Sequence, residues 1–236
     1  GWTQKNNPKT VPFGMRIRLK KKKLAKKRFE IKENILLVTT IVPRYSYWLQ
    51  SFPVAGQWLD YIKQHYIFVD SLSRDLKPKV LARIYHKADY GWDQIARWND
   101  YSKELKIDGG KIEIEKLIRK TKIHVSSYNA TTYLETFQLN IPTVIFWDPG
   151  YWELRSEAKP YFEKLSEVRI FHSTPESAAK HINEVWGDIE SWWYSEKLQS
   201  VLKNFCQQYC NSVHEYSNKL ANVIKELKME ESKNSV

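Results

Sequence analysis

The segment Ser126-Ser127-Tyr128-Asn129-Ala130-Thr131-Thr132-Tyr133-Leu134-Glu135 carries the residue types best suited to chemistry in this sequence. Small hydroxyl and amide side chains separate an apolar run from a helix-forming one, so a strand end and a helix start fall within a few residues of each other. The first-turn N–H groups of a helix lack intrahelical partners and its dipole is positive there, which suits a diphosphate or phosphodiester. Ser127, Asn129, Thr131 and Thr132 are the candidate phosphate ligands. Glu135 lies one turn deeper, where a carboxylate accepts from ribose hydroxyls. A structural reading competes on equal terms, with Ser127 or Asn129 capping the helix and Glu135 a solvated helix residue.

Three further clusters follow apolar runs. Thr39 to Ser46 offers the hydroxyl of Thr40 and the guanidinium of Arg44. Arg83 to Trp92 combines Arg83, His86 and Lys87 with aromatic residues; beside two cations His86 becomes a candidate phosphate ligand rather than a structural histidine. Trp147 to Leu154 supplies Asp148 and Glu153 as candidate sugar contacts, with Tyr151 or Trp152 to stack on the ring, although the two tryptophans read better as an apolar plug between sheet and helix.

These residues need a scaffold that brings strand ends together. Ile35-Leu36-Leu37-Val38-Thr39-Thr40, Val80 to Tyr85, Leu105 to Ile107, Lys122 to Ser127, Thr143 to Trp147 and Val168 to Phe171 are short apolar runs rich in β-branched residues, as expected for strands buried on both faces. Helical spacing falls between most of them. Val54 to Leu72 has a stripe at Trp58, Leu59, Ile62, Tyr66, Val69 and Leu72, and Ile112 to Arg119, Thr131 to Leu139 and Glu157 to Leu165 follow, the last interrupted near Pro160. Thr174-Pro175 opens another helix with a capping residue and a first-turn proline. Alternation of this kind predicts an α/β fold, a Rossmann-like doubly wound parallel sheet over residues 34–194, with ligands at the carboxyl ends of its strands. Residues 1–33, with Pro8, Pro12, Gly14 and a run of basic residues, read as a linker; residues 195–236 read as a long amphipathic helix, single or bent, with a frayed end. Trp186, Trp192 and Trp193 are assigned to the core.

The 236 residues suffice for one sizeable core with appendages, and 42% hydrophobic with 28% charged residues is the composition of a folded domain. No apolar run reaches the roughly 20 residues of a membrane span, and the first residues lack the layout of a signal peptide, so a cytoplasmic location is expected. Much of the net charge of +11 sits in Arg16 to Arg28. That run suits a solvated linker or peripheral contact with an anionic membrane, and no helix-turn-helix, zinc-finger or RNA-recognition pattern supports a nucleic-acid partner. Cys206 and Cys210 have no partners at metal-ligand spacing, suit neither a zinc site nor a disulfide framework, and are read as packing residues. Glycine-rich dinucleotide loops, Walker loops, serine-hydrolase elbows and His-Glu-x-x-His are all missing from the sequence.

Several blocks together resemble a known family: Ile35 to Thr40 with Pro43-Arg44-Tyr45-Ser46-Tyr47, Gly56-Gln57-Trp58-Leu59-Asp60-Tyr61, Asp89-Tyr90-Gly91-Trp92, Tyr128 to Glu135, Asn140 to Trp147 and Glu157 to Phe162. From Asn34 to about Tyr209 the chain looks like the carboxyl-terminal half of bacterial transferases encoded in surface-carbohydrate clusters. It departs from them at His86, where relatives carry Pro. The block from Ser126 to Trp147 is also similar to the donor-binding segment of GT-B glycosyltransferases and of capsule or teichoic-acid polymer transferases. The resemblance implies a nucleotide-sugar donor bound here, a glycan or lipid-linked acceptor bound mainly by a preceding amino-terminal domain, no cofactor and no obligatory metal. It places the catalytic base in that preceding domain, so no catalytic residue is assigned in this chain.

The expected activity is therefore glycosyl transfer from a nucleotide sugar in the assembly of surface polysaccharide or lipopolysaccharide, with Arg83 or Arg44 neutralising the leaving nucleotide. Transfer of a polyol phosphate or a Kdo-like acid from a cytidine nucleotide is the alternative within enzymes. A non-catalytic module docking on a membrane or partner through the basic run and terminal helix is the alternative outside them.

Overall fold

The computed structural model describes residues 15–16, 33–45, 53–85, 90–210, 212–213 and 216–234. Six strands form one parallel sheet: β1 (Asn34–Val38), β2 (Val80–Arg83), β3 (Lys106–Asp108), β4 (Thr121–Ser126), β5 (Thr143–Phe146) and β6 (Phe171–His172). Their spatial order is β3-β2-β1-β4-β5-β6. The chain builds outward from β1 in one direction, then crosses back to β4 and builds in the other, so the order reverses between β1 and β4. This is the Rossmann-like α/β sheet expected from the sequence.

The alternation of side chains along β1 shows why both faces must be covered. Ile35 and Leu37 pack with Phe68, Val69, Ala178 and Ile182, whereas Leu36 and Val38 pack with Leu117, Ile118 and Ile141. The first face is covered by α1 (Gln57–Asp70), with α2 (Gln94–Tyr101) beyond it and α6 (Pro175–Val185) beside it; the second by α3 (Ile114–Lys120) and α4 (Thr131–Gln138). Helix α5 (Lys159–Glu167) joins β5 to β6, and a short α7 (Ile189–Trp193) follows α6.

Several details differ from expectation. Pro160 does not interrupt α5; it lies in the first turn, where its missing N–H has no partner to lose. Of the stripe predicted for α1, Trp58, Ile62, Val69 and Leu72 are buried and Tyr66 is half-buried, but Leu59 is 42% exposed, and Tyr61 and His65 join the buried face instead. Helix α2 was not predicted: Trp98 is its only buried hydrophobic residue, and the Asp93 side chain caps it by accepting from the Ala96 N–H. The tail is two helices, α8 (Glu196–Tyr209) and α9 (Tyr216–Asn234). Helix α8 returns across its own domain, with the Phe205 ring 5.6 Å from Phe137 of α4 and 5.4 Å from Phe162 of α5. Between the two helices, Ser212–Val213 pairs in parallel with Met15–Arg16. The rest of the basic run Arg16 to Arg28 lies outside the described residues. Trp193 and Cys210 are buried, and no disulfide joins Cys206 to Cys210. No helix among the described residues is long and apolar enough to cross a membrane.

Candidate functional site

The crevice outside β1 and β4 is where a ligand meets a doubly wound sheet. Its floor is built from the ends of three strands. Leaving β1, the Thr39 N–H donates to the Arg83 carbonyl at the end of β2 (3.0 Å), and the Ser127 N–H, just past β4, donates to the Val38 carbonyl (3.4 Å). Beneath them lies a buried polar knot. The Thr40 N–H donates to Tyr61 Oη (3.0 Å), Tyr61 Oη is 2.8 Å from Ser127 Oγ, and Ser127 Oγ is 2.7 Å from His65 Nε2 and 3.3 Å from the Val38 carbonyl.

One set of proton positions satisfies all of these contacts: with His65 taken as its Nε2–H tautomer, His65 and the Tyr61 hydroxyl both donate to Ser127 Oγ, and Ser127 donates onward to the Val38 carbonyl. This arrangement uses every bonding site on the Ser127 oxygen. The group left over is the His65 Nδ1 lone pair, which is buried without a partner. Burial holds the His65 pKa down at about 3, so the ring is neutral, and pushes the Tyr61 phenol well above its ordinary value against the opposing hydrogen bonds of Ser127 and Thr40. Ser127, expected at a phosphate, is therefore a floor residue, 1% exposed and fully engaged.

Beyond Ser127 the chain rises to α4. Ala130 occupies the N-cap position in an extended conformation (φ −145°), and no side chain caps the helix. Neither Ser127 nor Asn129 takes that role: Asn129 Oδ1 instead accepts from the Tyr133 hydroxyl (2.9 Å), which directs the remaining Asn129 donors elsewhere. Thr131 opens the helix at the surface. Thr132 Oγ1 is 3.4 Å from the Tyr128 hydroxyl. Burial raises the Tyr128 pKa; Thr132 opposes through its hydrogen bond, Glu135 and Tyr85 raise it further and Arg83 lowers it.

The two arginines have different environments. Arg83 is 8% exposed, paired with the Asp108 carboxylate, and donates to the Ile112 carbonyl (2.7 Å), so its charge is balanced within the fold where it locks the loop after β3. Arg44 is exposed, its guanidinium 5.4 Å from the Trp92 ring centroid and 5.8 Å from that of Tyr45. Trp92 is itself fixed by donating to the Val42 carbonyl (2.8 Å) and by stacking on Trp58 (4.6 Å). Arg44 is thus held over aromatic faces in the loop after β1 and forms no ion pair among the described residues. His86 lies outside the described residues.

Asp148 and Glu153 belong to the turn after β5. Asp148 Oδ1 accepts from the Gly150 N–H (2.8 Å) and shapes the turn after β5, and Glu153 is exposed on the far side of that turn. Trp147 and Trp152 are buried, as the plug reading required.

Over residues 1–224 the chain matches the family described as LIC12162 family transferase. The chain belongs to that family. No curated protein matches the chain. Solved structures resemble it at low identity: the wall teichoic acid polymerase TagF (12% identity, TM-score 0.44, 91% of this chain and 47% of that one) and WaaG, a glycosyltransferase involved in lipopolysaccharide biosynthesis (10%, 0.41, 75% and 43%). The LIC12162 family transferase chain therefore spans a little under half the length of each.

Sequence reasoning missed Tyr61, His65 and Tyr128. For the first two a signal existed: Tyr61 and His65 are four residues apart, hence on one helix face, the same face as Trp58 and Ile62.

Proposed function

We propose that this chain binds the nucleotide of an activated sugar in the β1–β4 crevice and forms the donor half of a GT-B-type glycosyltransferase acting on a surface-polysaccharide or lipid-linked acceptor. The observation that carries the reading is the first turn of α4, which opens beside the switch point with no side-chain cap. Uncapped first-turn amides are hydrogen-bond donors in a field that favours an anion. Thr131 and Thr132 add hydroxyls, Asn129 adds its amide donors, and Arg44 adds a full positive charge from the loop after β1. Glu135 lies about 6 Å along the helix axis from Thr131, at 1.5 Å per residue, a spacing that seats the ribose below the phosphates. Thr40 lies on the floor between these groups.

In this reading the acceptor hydroxyl attacks the anomeric carbon, the bond from that carbon to the phosphate oxygen breaks, and the nucleotide leaves with the electron pair. The chain's contribution is electrostatic: amides, hydroxyls and Arg44 stabilise the charge gathering on the leaving phosphate, so the site has no requirement for a metal. The base that takes the acceptor proton is assigned to the opposing domain of such an enzyme. Arg16 to Arg28 suits an anionic membrane carrying the acceptor.

A thermal-shift screen against UDP, GDP, CDP, CMP and dTDP tests the reading. One nucleotide should stabilise the chain, by about 2.7 kcal/mol at a hundredfold excess over its Kd, and Glu135→Ala should remove the effect. Folded protein that shifts with none of them defeats the proposal; a response confined to CDP or CMP would favour a cytidine-activated donor.

A further inference from the structure

The turn after β5 has two sides. On one, Tyr151 donates to Asp60 of α1 (3.3 Å) and Trp152 packs edge-on against Tyr61 (5.2 Å), so it braces the crevice floor. The other side forms one wall of a separate cavity of about 430 Å³, with α5 opposite. Its apolar lining includes Leu154, Phe162 and Phe171, the two rings perpendicular at 5.5 Å. Around them stand Glu153, Lys159 and Glu163.

Two features of this lining point to a ligand. Lys159 and Glu163 are four residues apart on one helix, the spacing at which opposite charges pair, yet neither they nor Glu153 form an ion pair among the described residues. Lys164, one residue on, does pair with Glu167 at 2.7 Å. The lining also carries two carboxylates against one ammonium in a chain whose net charge is +11, which disfavours a second phosphate or nucleotide. An apolar, aromatic floor with hydroxyl-binding groups at its edge matches the two aspects of a pyranose, C–H face down and hydroxyls outward, and the volume is that of a small-molecule site.

We propose that this cavity binds one neutral pyranose unit, separately from the nucleotide crevice. Assigning that unit to the acceptor glycan rests on the donor reading above; sugar binding itself does not. The probes are the methyl glycosides of glucose, galactose, mannose, rhamnose and N-acetylglucosamine, followed by saturation-transfer NMR on the full chain. At least one should receive saturation, and Glu153→Gln with Glu163→Gln should weaken it about tenfold, the loss expected for hydrogen bonds to charged groups. Ser166→Trp, an exposed position lining the same cavity, should block it while leaving any nucleotide shift intact. No saturation of any glycoside by folded protein overturns the inference, as does binding indifferent to both sets of changes. Glycoside binding without any nucleotide shift would instead defeat the donor reading and leave this site standing.

Discussion

The Ser127 hydroxyl lies 2.7 Å from His65 Nε2, and Tyr61 Oη approaches the same oxygen at 2.8 Å. Ser127→Ala would leave a buried phenol and a buried imidazole N–H without their acceptor. Urea unfolding should show a loss of about 1–3 kcal/mol, and Tyr61→Phe should couple to it in a double-mutant cycle. Because the Ser127 oxygen has no bonding site left, nucleotide affinity measured on the folded variant should stay unchanged. A large loss of affinity without loss of stability would return Ser127 to the ligand set.

The α4 N-terminus gives a prediction with opposite signs. Ala130→Asp places a carboxylate at an N-cap position whose backbone is already extended. Helix capping should raise stability by about 1 kcal/mol. The same carboxylate occupies the amides assigned to the phosphate and repels it, so the nucleotide-induced thermal shift should fall. Stability and binding rising together would contradict the placement of the phosphate.

Acid sensitivity follows from buried imidazoles. Burial lowers the pKa of His65, His124 and His181 to about 3 and that of His172 to about 4, against 6.5 for an ordinary histidine. The unfolded chain therefore binds more protons than the native one between pH 6.5 and about 3, and stability falls as the pH drops through that window. Each such histidine contributes a slope of up to about 1.4 kcal/mol per pH unit. Denaturant midpoints should be flat above pH 7 and decline steeply below 6.5, and a profile that stays level to pH 5 would refute the neutral buried histidines.

Arg83 and Asp108 should behave as a structural pair. Arg83→Met strands the Asp108 carboxylate in a buried setting and should cost about 3–5 kcal/mol, while the pair replaced together by apolar residues should cost far less. Arg44→Gln, by contrast, removes an exposed cation over Trp92 and should cost no more than about 1 kcal/mol of stability. It should nonetheless weaken nucleotide binding more than any folded Arg83 variant does.

How much of this was legible in the sequence depended on the range of the interaction concerned. β1 was legible because Ile35 to Val38 are apolar on both faces, and α6 because Thr174-Pro175 marks a start by local chemistry alone. Helix α2 was not, since one buried tryptophan gives no period. The stripe on α1 was legible except at one edge, where Leu59 is as apolar as the residues that are buried and only packing against Trp152 brings Tyr61 inside in its place. The sequence put its candidate residues at strand ends that the sheet does bring side by side, yet it could not say which polar side chains turn inward. Arg83 finds its counterion 25 residues later, and Ser127 meets Tyr61 and His65 over 60 residues back. Local spacing carries no trace of either encounter.

The Tyr61–Ser127–His65 knot separates the crevice into layers with different freedom to change. Its three members bond to one another and define the shape of the floor, so substitution there is answered by folding. Arg44, Tyr85, Asn129 and Thr132 stand above it on loops or helix ends. If the crevice binds a donor as proposed, its preference can be retuned from the rim, one residue at a time, while the platform beneath is inherited intact.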